Sequence, residues 1–118
     1  MNIATTPYIA EILFLRHLIE TASRFAPEIP GDTADSASVI AVEQRRMTLA
    51  KILATAQLDL DQATFWLYES FNYTGLAPTQ LLKRMKAIHE AASYVELCHR
   101  SVRQAMLIST GVAAPYKL

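Results

Sequence analysis

The chain has 118 residues with eleven basic and eleven acidic side chains, so its formal charge is zero and nothing electrostatic favours nucleic acid or an anionic membrane as a partner. That length predicts one domain, residues 1–118, with a single core. The single cysteine, Cys98, excludes an internal disulfide and fits a reducing compartment; the apolar run Ile12 to Leu15, bounded by Glu11 and Arg16, is too short for a membrane span or an export signal, so a cytoplasmic location is expected.

In chain order, Thr6 as cap and Pro7 at the first helical position predict a helix over 7–26, closed by Pro27 and the Pro30-Gly31 pair. Asp32 or Thr33 caps a second helix over 34–73, with Asp35 favourable in its first turn. Leu58-Asp59-Leu60-Asp61 offers a place to break, yet the apolar register continues through it, and an unbroken helix is expected. Thr74-Gly75-Leu76 reads as a glycine stop followed by an apolar residue. Pro78 opens a third helix over 78–109, and 110–118 form a frayed tail.

Two seams with alternating steps of three and four tie these helices together. One is Val39, Val42, Arg46, Leu49, Leu53, Ala56, Leu60, Ala63 and Leu67; the other is Leu81, Met85, Ile88, Ala92, Val95, His99, Val102 and Met106. Residues 31–75 are net acidic and 76–118 net basic, so the two as adjacent antiparallel helices would attract. The predicted fold is therefore all-α: three antiparallel helices, a short first helix packed on a long hairpin. The first helix, about 30 Å long, cannot cover a hairpin of about 50–60 Å, so part of the seam stays open for a homodimer, a different partner, or both.

On the first helix Tyr8, Ile12, Phe14, Leu15, Leu18, Ile19, Ala22 and Phe25 form one broad apolar face. Ile9 and Leu13 fall on the other side among Arg16, His17, Glu20 and Arg24, as surface apolar residues or as a contact surface. Glu11 projects from the apolar face, serving the helix dipole or an ion pair with a neighbouring helix. Phe65, Trp66, Tyr68, Phe71 and Tyr73 point in nearly all directions around the second helix and cannot all be hidden against one neighbour. They read as a dimer core or as a binding surface, with Leu76 beside them at the hairpin tip.

Groups able to do chemistry are few. Glu96 and His99 make a Glu-x-x-His pair, which metal-binding bundles use twice together with two further carboxylates; here it occurs once. His99 reads better as a polar member of its seam, and Cys98 as a small packing residue rather than a nucleophile, since adjacent helical residues point about 100° apart. Gly31, Gly75 and Gly111 are the only glycines, so no glycine-rich phosphate loop exists. No catalytic residue, cofactor or metal is expected.

The chain's size, its opening Met1-Asn2-Ile3-Ala4-Thr5-Thr6-Pro7-Tyr8-Ile9-Ala10, and a three-helix plan without a catalytic motif together resemble the QslA-like quorum-sensing anti-activators, small helical proteins of pseudomonads. The resemblance implies binding to the ligand-binding domain of a LuxR-type transcription factor such as LasR, blocking its dimerisation and so its attachment to DNA. The residues by themselves also admit a self-assembling helical adaptor or chaperone-like dimer and, further off, a metal-dependent bundle enzyme. The expected contact residues are Ile9, Leu13, Phe65, Trp66, Tyr68, Phe71, Tyr73 and Leu76.

Overall fold

A computed structural model of the chain describes residues 6–24 and 36–109. These form α1 (Thr6–Arg24), α2 (Ser36–Ser70) and α3 (Pro78–Ser109), with no strand among the described residues. The fold is the expected one: short α1, 19 residues, packs on both α2 and α3, which have 35 and 32 residues. α2 runs unbroken through Asp59. The caps assigned to Asp32 and Thr33, and the packing of Phe25, lie outside the described residues.

α2 ends at Ser70, three residues before the sequence expectation. The chain leaves it through tightened turns in which the N–H groups of Phe71, Asn72 and Tyr73 donate to the carbonyls of Tyr68, Glu69 and Ser70. Tyr73 is then fastened: its hydroxyl donates to Glu69 at 2.9 Å, and Lys83 Nζ lies 5.8 Å from its ring centroid. The Glu69 carboxylate, accepting that bond, pushes the Tyr73 hydroxyl's pKa up. Gly75 is not a left-handed helix cap as expected. It lies in the connector against α3, where a Cβ would come within 3.2 Å of Gln80 Cγ. Leu81 N–H donating to the Ala77 carbonyl at 3.0 Å starts α3.

The α2 seam is buried as read from Leu49 through Leu53, Ala56, Leu60, Ala63 and Leu67, whereas Val39, Val42 and Arg46 are only half-buried. The α3 seam differs from expectation. Its buried line is Ala87, Ala91, Val95, Cys98, Val102, Ala105 and Ile108, while Met85 and Met106 are exposed and Leu81, Ile88, Ala92 and His99 half-buried. The helix is turned by about one residue step, so that Ala87, Ala91, Cys98 and Ala105 take the buried positions expected for Ile88, Ala92, His99 and Met106. Leucines on one helix against alanines on the other let the backbones approach closely, which outweighs burying two long methionines. On α1, Ile12, Leu15, Ile19 and Ala22 are buried, but Phe14 is 53% exposed instead of facing the hairpin. It lies at the edge of the apolar arc, one step beyond the sector that two neighbouring helices can cover.

Candidate protein-interaction surface

Several expected chemical groups have plain structural roles. Glu11 reaches across to α3, where His99 Nε2 and Glu11 Oε1 are 2.8 Å apart, joining the two helices at a half-exposed site; His99 is therefore not the buried seam member expected. Glu96 pairs with Arg100 at 3.4 Å on its own helix. Cys98 is fully buried, and burial, helped by the negative charge of Asp59, pushes its thiol up to about 11. A thiol so placed stays protonated and unreactive. Burial likewise raises the Asp59 carboxyl. Among the described residues no three of His, Cys, Asp and Glu converge on a point that could hold a metal.

The apolar side chains make a more definite arrangement. α1 and α2 leave an open groove of about 150 Å³ between them, walled by Ile9, Ile12, Leu13 and Arg16 from α1, by Thr64, Leu67 and Tyr68 from α2, and by Phe71 in the turn just after it. Ile12 and Leu67 are core residues and form its floor, while Leu13 and Tyr68, 57% and 67% exposed, stand at its rim. Tyr68 and Phe71 meet edge to face with ring centroids 6.1 Å apart, which stiffens the α2 wall. Thr64 keeps its hydroxyl on the Leu60 carbonyl at 2.8 Å, so it adds little free polarity. Exposed Arg16 has no ion-pair partner among the described residues and places a positive charge at one end of the apolar slot.

Four of the eight expected contact residues, Ile9, Leu13, Tyr68 and Phe71, therefore come together in this groove. Ile9 differs from expectation in being half-buried against the core. Phe65 does not line the groove; it is exposed and edge-on to Trp66 at 5.3 Å between centroids. Trp66 is half-buried and packs on the core, and Tyr73 is held by Glu69 and Lys83, so neither offers a free face. Leu76, the most exposed large apolar residue among those described, stands apart in the connector, with Leu82 and Met85 exposed on the first turns of α3. Arg16 and Thr64 were not foreseen as groove residues, nor Leu82 and Met85 as part of an exposed tip. Arg16 follows Ile9 and Leu13 at helical spacing, a signal present in the sequence; Thr64 carried none.

Comparisons with protein-family models, with curated proteins and with solved structures give no match. Among the described residues no helix is long and apolar enough to cross a membrane.

Proposed function

We propose that this chain is a non-enzymatic regulatory interaction protein of the bacterial cytoplasm. It acts as an anti-activator that binds the ligand-binding domain of a LuxR-type quorum-sensing transcription factor, such as LasR, and blocks that factor's dimerisation and DNA binding. The observation that carries the reading is the α1–α2 groove: an apolar floor, two aromatic rings on one wall and a cation at the end, with no element of the chain over it among the described residues. A slot of this kind takes apolar side chains from a partner helix, and large aromatic groups contribute most once the partner excludes water from them. Arg16 adds a preference for a carboxylate beside those side chains. The choice of regulator comes from the resemblance in size, opening segment and three-helix plan.

Native mass analysis of the purified chain mixed with an autoinducer-loaded LuxR-type regulator tests this. The expected result is a defined complex and loss of the regulator's own dimer. A Leu13→Asp, Tyr68→Ala variant with unchanged helical circular dichroism should abolish the complex. Unchanged masses for both wild-type proteins would overturn the reading for that regulator, and a complex indifferent to the double substitution would remove the groove from it.

A further inference from the structure

α2 carries apolar side chains on two opposite sides. Ile40, Met47, Leu58 and Phe65 are 57%, 55%, 66% and 56% exposed. At about 100° per residue they lie within roughly 20° of one another, and roughly 180° from the middle of the buried Leu49 to Leu67 seam. Exposed Ala54 joins them: Ile40, Met47 and Ala54 are spaced by sevens, and a step of four leads to Leu58 and then Phe65 seven further on. This is a second apolar stripe with heptad spacing, on the side of α2 that neither α1 nor α3 covers.

We infer that a second copy of the chain covers it, the two α2 helices packing antiparallel about a two-fold axis. The sequence of the stripe favours a copy of itself over an unrelated chain. An axis near residue 56 sets Met47 against the partner's Phe65 and Ala54 against the partner's Leu58, and symmetry makes each contact twice. The same register brings Lys51 opposite the partner's Asp61. Lys51 is exposed with no carboxylate partner among the described residues, and exposed Asp61 receives only the Gln57 amide, at 2.9 Å. The pairing therefore buries apolar side chains and joins opposite charges close to the axis, where Lys51 meets Asp61, while Glu43 and Glu69 fall opposite each other at the ends of the overlap, thirteen residues from the axis. Met47, Leu58 and Phe65 offer on the order of 400 Å² per copy, Ile40 falling opposite position 72 beyond the end of α2, and with their polar flanks the two faces together come to the roughly 1,000 Å² that separates a stable interface from an incidental contact. This inference does not rest on the partner-binding reading, because its test needs this chain alone.

Sedimentation equilibrium of the full chain should give twice its 13.1 kDa mass. Leu58→Asp should raise the dissociation constant about tenfold or more with helical circular dichroism unchanged. Lys51→Asp and Asp61→Lys, both at exposed positions and so harmless to the fold, should each weaken the dimer, and the two together should restore it. A wild-type chain that stays monomeric at tens of micromolar would overturn the inference and leave the stripe to a different protein. So would a dimer that ignores Leu58→Asp, or a double exchange that associates no better than the single ones.

Discussion

The two sides of α2 are built from similar residues with opposite outcomes. One side, Leu49 to Leu67, lies against α1 and α3 and is buried; the other, Ile40 to Phe65, has comparable apolar volume and stays exposed. What separates them is the supply of neighbouring helices. α1, with 19 residues, reaches only part of a 35-residue helix, and α3 pairs with one side of it. Apolar spacing thus marks faces able to associate, and the number and length of the other elements decide which faces associate within the chain.

Paired truncations should separate the two sides most sharply. Leu60→Ala, at a fully buried position, should lower the stability measured by denaturant unfolding by about 2–5 kcal/mol. Leu58→Ala, two residues away on the exposed side, should change it by less than ~0.5 kcal/mol at dilutions where the chain is monomeric. Equal losses would mean that the exposed side is packed within a single chain. Enlargement should show a smaller contrast of the same kind. Ala91→Leu, which forces volume into the close α2–α3 contact, should cost about 1–3 kcal/mol, whereas Ala54→Leu should be tolerated by the monomer.

The smallest effect should come from Asp59, at the margin of the buried side. Burial raises its folded pKa above the ordinary 3.8. The stability linked to its protonated form is therefore fully present below that ordinary value and is lost as pH rises through the raised one. Asp59→Asn should accordingly melt slightly higher than wild type near neutral pH, and the difference should vanish at about pH 3. A lower melting temperature near neutrality would show that the carboxylate makes a stabilising contact that outweighs its desolvation.

Much of the candidate surface was legible because its signals are local. Ile9 and Leu13 stand among charged residues, and an aromatic cluster too dispersed for one neighbour had to leave rings in solvent. Tyr68 and Phe71 did so, while Trp66 turned onto the core and Tyr73 was taken up by Glu69 and Lys83. Which aromatic stays free depends on where α1 and α3 lie around α2, a non-local fact. The Ile40–Met47 and Leu58–Phe65 heptad steps were equally present in the sequence, but beside a longer and stronger seam on the same helix they gained meaning only once that seam was seen to be filled.

The sequence by itself determined three helices, their order, the position of α3 from Pro78 to Ser109, the continuity of α2 through Asp59 and the buried half of its seam. These follow from proline and from the spacing of apolar residues, which act within a few turns of one helix. Tertiary structure decided the rotation of α3 that buries Ala87, Ala91, Cys98 and Ala105, the exposure of Phe14, the Glu11–His99 link and the groove beside Arg16. Each of these depends on how closely two helices approach and on which face a third helix covers. Those are properties of packing between distant segments, where close contact of small residues competes with burial of large ones.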